Sequence, residues 1–289
     1  MDAAMRIERA LGAAIARAGG PDCPPGLSAA ARYAVFPGGA RIRPRLCLAV
    51  AAACAEDEPA VSDGAAAAIE LLHCASLVHD DLPCFDDAPI RRGKPSVHRA
   101  FGERLAVLTG DALIVLAFES LAVAAVAAPA RLAPLVRTIA RSVGMPDGIA
   151  AGQAWECEAD ADLPRSPGPK PGALLAAAPG AGATAAGAAG EPWRPLGERL
   201  GEAFQVADDI RDVVASPEEL GKPVGQDAAL DRQNAVHELG LDGAVRRLER
   251  LMADAVDAMP PCPGATELRH LILAYGKRFL PEGLARAAA

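Results

Sequence analysis

Apolar positions recur at helical spacing through most of this chain. The stretch "SDGAAAAIELLHCASLVHDDL" (62–82) opens on Ser62 and Asp63, either of which can cap a helix, and continues with apolar residues every three or four positions. "GERLAVLTGDALIVLAFESLAVAAVA" (102–127), "LGERLGEAFQVADDIRDVV" (196–214), "LDGAVRRLERLMADAVDAM" (241–259) and "TELRHLILAYGKRFL" (266–280) follow the same rule. The opening twenty residues read as a short amphipathic helix. No run of alternating residues bounded by turn signals makes a convincing strand. Several helices are apolar nearly all round, as helices in the middle of a large bundle must be. The pattern predicts an all-α, single-domain multi-helix bundle over 1–289.

Pro and Gly mark connections at 20–26, 56–62, 83–96, 162–172, 179–193, 216–227 and 260–264. The stretch 159–190, rich in Ala, Gly and Pro, reads as the weakest helix and a mobile region. It carries no charge over 173–190, yet its composition makes a poor membrane span.

Composition narrows the class. With 51% hydrophobic and 23% charged residues the chain is globular, and at 3% aromatics its core must be built from Ala, Leu and Val. A net charge of −8 argues against a nucleic-acid binder, which would show a basic face. Seven scattered cysteines with no CxxC pair suit a reducing compartment, and the N-terminus lacks the apolar core of a signal peptide. A cytoplasmic protein with no membrane span is expected.

Two acidic clusters stand out. Asp80, Asp81, Asp86 and Asp87 fall within "HDDLPCFDDAPIRRGKPSVH" (79–98), and Asp208, Asp209 and Asp212 within "FQVADDIRDVV" (204–214). Asp208 and Asp212 are four apart on a helix, with Gln205 four before Asp209. His73 lies seven before Asp80, on the same face. Neighbouring aspartates usually mean only a solvated surface. Here, however, like charges four apart repel unless a cation lies between them, and the flanking residues are strongly apolar. Oxygen-only ligands in such numbers suit Mg2+, with Mn2+ able to substitute. Basic residues stand close behind: Arg91, Arg92 and Lys94 after the first cluster, Arg41, Arg43 and Arg45 in "GGARIRPRL" (38–46), then Lys170 and Lys222. Arginine forks match phosphate oxygens, and lysines act as point charges.

In order and spacing, these segments resemble the trans-polyprenyl diphosphate synthase family from about residue 30 to 230. "GGARIRP" is similar to its GGKRIRP, and "HDDLPCFDDAPIRRGKPSVH" to its first aspartate-rich motif with the two-residue insertion of bacterial members. "LTGDAL", "GQA", "KPGAL", and "FQVADDIRD" with "LGKPVGQD" fall at matching places. The wording "LPCFDD" resembles bacterial members that make geranylgeranyl diphosphate for carotenoid pathways.

The resemblance implies an isoprenoid-synthase bundle around a central apolar cavity, working as a homodimer. It implies Mg-assisted ionisation of an allylic diphosphate (dimethylallyl, geranyl or farnesyl), condensation with isopentenyl diphosphate, and proton elimination. Family correspondence assigns metal ligation to Asp80, Asp86, Asp208 and Asp212, with Asp81, Asp209 and Lys170 also in the catalytic set. It assigns the allylic diphosphate to Arg91, Lys170, Gln205 and Lys222, isopentenyl diphosphate to Arg43, His73 and Arg92, and substrate binding to Gly39. Ala75 and Ser76, about one turn before Asp80, are small where farnesyl-making relatives carry an aromatic, so a twenty-carbon product is expected. Farnesyl diphosphate synthase, or a weakly active regulatory homologue, is the alternative. A class I terpene cyclase shares the ionisation logic, but its second metal motif mixes Asn, Ser and Glu, unlike "DDIRD".

Three departures bear on activity. Ala40 replaces the usual lysine, Pro171 the usual threonine, and the prolines before Lys170 replace a helix. One lost cation weakens diphosphate binding by about 1.5–3 kcal/mol, the usual worth of a charged hydrogen bond. Arg41 and Arg45 are the candidates to compensate for Ala40.

Overall fold

A computed structural model describes residues 2–158, 172–214 and 234–279. The helices are α1 (Ala3–Ala18), α2 (Pro25–Val35), α3 (Ile42–Ala53), α4 (Pro59–Asp80), α5 (Val97–Phe101), α6 (Glu103–Ala124), α7 (Leu132–Val143) and α8 (Ile149–Cys157). They continue with α9 (Ala173–Ala185), α10 (Arg194–Val214), α11 (Ala235–Asp257) and α12 (Ala265–Phe279). Among the described residues the one extended element is a hairpin of two-residue strands, β1 (Ile90–Arg91) and β2 (Lys94–Pro95), with Arg91 opposite Lys94.

The all-round apolar sequences take the middle. Every residue of α4 from Val61 to Leu72 is buried, because α4 is flanked by α6, α3, α9 and α1. α9 in turn packs on α3, α10 and α7, and α10 lies against α11. Ala, Leu, Ile and Val supply nearly all of the buried apolar side chains. α12 closes the bundle beside α3, where the Gly264 N–H donates to the Ala53 carbonyl at 2.9 Å.

Two expectations need correction. Of the stretch 159–190, residues 159–171 lie outside the described residues, and the rest holds α9, whose residues 178–185 are all buried. Its small residues let backbones touch: a Cβ on Gly182 would lie 2.2 Å from the Cys47 carbonyl oxygen of α3. Neither does α4 begin at Ser62 or Asp63. Pro59 occupies its first turn, which suits a residue without an N–H. Asp63, one turn inside, accepts from Arg6 Nε at 2.6 Å and Arg9 at 3.1 Å, and Arg6 also reaches Glu56 at 2.6 Å. This cluster clamps α1 onto the start of α4.

α4 and the segment Glu103–Ala127 are both long and apolar enough to cross a membrane by length and composition. α4 is enclosed by its neighbours. α6, by contrast, leaves Val107, Leu108, Val115 and Val123 exposed.

Candidate active site

The first acidic cluster is sorted by where α4 ends. Pro83 has no N–H, so the chain turns after Asp80 and folds back on the helix terminus. Leu82 N–H donates to the His79 carbonyl at 3.1 Å and Asp87 N–H to the Leu82 carbonyl at 3.0 Å. Asp86 N–H donates to the Asp80 carbonyl at 2.9 Å, which returns Asp86 to the side of Asp80. Both of these aspartates remain partly exposed.

The other two aspartates are committed to structure. Asp81 is buried and accepts from Arg91 Nε at 2.9 Å. Burial works to lower the Arg91 pKa, and the Asp81 carboxylate beside it more than offsets this. Asp87 takes a left-handed backbone (φ 44) and pairs with Arg99 at 3.0 Å, while His98 Nε2 stands 3.5 Å away. "LTGDAL" serves the same corner. A Cβ on Gly110 would fall 2.0 Å from His79 Nε2, so glycine there gives that ring its seat against α6.

The second cluster divides likewise. Asp209 is buried, accepts from Gln205 Nε2 at 2.9 Å, and takes the first N–H of α11, from Ala235, at 2.8 Å. A carboxylate at a helix N-terminus meets its unpaired N–H groups and positive dipole end. Asp208 and Asp212 stay partly exposed, Asp208 with Arg211 3.1 Å away. Gln205, expected at the allylic diphosphate, is exposed and donates to Asp209.

Arg43 ties the two halves together. Its Nη1 lies 3.4 Å from His73 Nε2 on α4, and its guanidinium stands 5.1 Å from the ring centroid of Phe204 on α10. Burial lowers its pKa, opposed by the charges of Glu70 and then Asp208. Burial, and after it the charge of Arg43, holds His73 well below the usual histidine value, so His73 is neutral. Asp80 lies seven residues beyond His73, and Asp208 four beyond Phe204. Both acid sets thus lie C-terminal to the positions that meet Arg43.

The remaining cations separate. Arg92, at φ 53, stands 3.9 Å from Glu70 and beside Gly39, where a Cβ would lie 3.3 Å from its Nε. Lys94 donates to the carbonyls of Tyr33 (2.6 Å) and Phe36 (2.8 Å), fixing the hairpin to the end of α2. Arg41 is one of the two candidates to compensate for Ala40. It turns inward to Glu70 (2.6 Å), Glu8 (2.9 Å) and the Val35 carbonyl (2.9 Å), and is buried. The Nε of Arg45 is buried without a partner. Lys170, Pro171 and Lys222 lie outside the described residues.

The chain-length pair also separates. Ser76 is half-buried on the His73–Asp80 face and donates to the His73 carbonyl at 2.9 Å. Ala75 is buried on another side of α4, within the core. Sequence reasoning missed Glu70, Phe204 and His98. For Glu70 the signal was present: one acid in "AAAAIELLHC", three residues before His73.

An all-α bundle with two aspartate sets and an arginine between their helices defines the isoprenoid-synthase class. The chain belongs to the polyprenyl synthetase family, whose model matches residues 24–256. It is 55% identical over 280 residues to a geranylgeranyl diphosphate synthase of Cereibacter sphaeroides, covering 97% of each. It is 50% identical over 275 residues to one of Rhodobacter capsulatus, covering 95% of each. Among solved structures it resembles the geranyltransferase from Helicobacter pylori complexed with magnesium and isoprenyl diphosphate. The TM-score is 0.79 at 30% identity, covering 94% of this chain and 95% of that one. The geranyltransferase from Legionella pneumophila matches at TM-score 0.78 and 26% identity, covering 95% and 94%.

Proposed function

We propose that this protein condenses an allylic diphosphate with isopentenyl diphosphate and releases geranylgeranyl diphosphate. The observation that carries the reading is the sorting of both acidic clusters. In each, one aspartate is buried and bonded (Asp81, Asp209), while partners on the same segment (Asp80 and Asp86; Asp208 and Asp212) keep accessible oxygens. A merely solvated surface would have no reason to bury Asp81 and Asp209 beside the accessible Asp80 and Asp208.

The accessible carboxylates are hard oxygen donors, which fits Mg2+. Among the described residues no three His, Cys, Asp or Glu side chains converge as a cage. Asp80, Asp86, Asp208 and Asp212 would hold Mg2+, and when bound it would neutralise charge on the departing diphosphate. Arg43, neutral His73 and Arg92 receive isopentenyl diphosphate, with Gly39 leaving room for Arg92. Arg91, anchored by Asp81, faces the allylic diphosphate, with Lys170 and Lys222 assigned there by family correspondence. Apolar helix faces enclose the tail and exclude water that would quench the cation. We assign the exposed apolar row of α6 to a second copy of the chain, and the reaction to the cytoplasm, supplying carotenoid formation.

Incubating the purified protein with Mg2+, isopentenyl diphosphate and each allylic primer in turn tests the reading. A twenty-carbon product is expected. A fifteen-carbon product would make it a farnesyl diphosphate synthase, and no product with any primer would favour the regulatory alternative.

A further inference from the structure

Within α4, the run from Ala65 to Leu72 is apolar except for Glu70, which is 2% exposed. A buried carboxylate without partners would lose its charge or destabilise the helix. Glu70 has arginines from two other segments. Arg41 Nη1 lies 2.6 Å away and Arg92 Nη2 3.9 Å away, and the Glu70 charge also favours the protonated form of Arg43.

The backbone is bent to make this possible. Arg41 and Arg92 both adopt the left-handed region, at φ 52 and φ 53, which side chains other than glycine and asparagine rarely occupy. A Cβ on Gly38 would lie 2.0 Å from the Arg41 guanidinium carbon, so that residue also is shaped by the inward turn. Strain of this kind persists only where surrounding contacts over-determine it. The side chain of Glu8, the other partner of Arg41, is 47% exposed. Glu70 is buried, three residues before His73.

We propose that Glu70 is a positioning residue for isopentenyl diphosphate: its carboxylate anchors Arg41 and Arg92, so that Arg92 stands beside Arg43 and His73 as a fixed cationic wall. This rests on the reading that Arg43, His73 and Arg92 receive that substrate. Three arginines against Glu8 and Glu70, with His73 neutral, leave the wall positive, as a diphosphate requires.

The test measures kcat and separate KM values for isopentenyl and allylic diphosphates in Glu70→Gln, Glu70→Asp and Glu8→Gln, together with thermal unfolding. Glu70→Gln is expected to raise the isopentenyl diphosphate KM about tenfold or more while the allylic KM moves by less than about twofold. Glu70→Asp should recover part of the loss, and Glu8→Gln, which removes only the exposed partner of Arg41, should raise the isopentenyl diphosphate KM less than Glu70→Gln does. Should Glu70→Gln not fold, Glu70→Asp alone is decisive, with a several-fold rise in isopentenyl diphosphate KM expected and an unchanged one contradicting the proposal. Equal losses for both substrates, tracking a lower Tm, would reduce Glu70 to a structural ion pair and overturn it. A lower isopentenyl diphosphate KM would show that Glu70 competes with the anion, which also overturns it. A wild type that makes no prenyl product would instead remove the functional reading beneath.

Discussion

Neighbouring aspartates in this protein have different work, and substitution separates them. Asp80 is partly exposed at the open end of α4, so Asp80→Ala should leave Tm within a few degrees of wild type and cost at least about a thousandfold in kcat. Asp209 accepts two hydrogen bonds while buried, so Asp209→Asn should destabilise by about 1–3 kcal/mol in denaturant unfolding. Matching effects in the two variants would contradict the division. Ser76 lies on the His73–Asp80 face, so Ser76→Phe should close the tail pocket and shift the product from twenty carbons to fifteen, read by chromatography. A product that stays at twenty carbons would remove that residue from the pocket wall. The motifs themselves were legible in the sequence. That Asp81 and Asp209 turn inward was not, because that depends on an arginine ten residues on (Arg91) and a helix start twenty-six residues on (Ala235).

Among the elements, helical periodicity was enough to find α4, α6, α10, α11 and α12. α9 was obscured because the residues that weaken an isolated helix, Gly and Pro, are also those that let it pack within backbone contact of α3. The start of α4 shows tertiary contacts deciding a residue's part: Asp63 resembles a cap in sequence and acts as an anchor for Arg6. Beside it, burial tends to raise the Glu56 pKa, but the Arg6 bonds prevail and hold it below the ordinary glutamate value of 4.5. A depressed carboxylate contributes stability above its unfolded pKa and loses it as pH falls through the folded one. Lowering the pH below about 4.5 should therefore cost wild type more Tm than it costs Glu56→Gln. Parallel acid profiles would show that the clamp contributes nothing.

At the scale of the molecule, the bundle exposes apolar surface on α6 that its own helices do not cover. Val115, at 68% exposure, is the most open residue of that row. Val115→Glu places a charge in the proposed subunit contact and should shift sedimentation from dimer toward monomer, whereas a wild type that sediments as a monomer would remove the second copy from the account. The bundle also sets α4 and α10 on the same central helix, α9, each carrying accessible acids near its C-terminal end. Ionisation of the allylic diphosphate requires those acids to act together. Crystals grown with Mn2+ and a non-cleavable allylic thiodiphosphate report this directly through anomalous scattering. The expected map shows ions bonded to Asp80 and Asp86 on one side, to Asp208 on the other, and to the diphosphate between them. Ions confined to one cluster, or a diphosphate bound away from both, would contradict it.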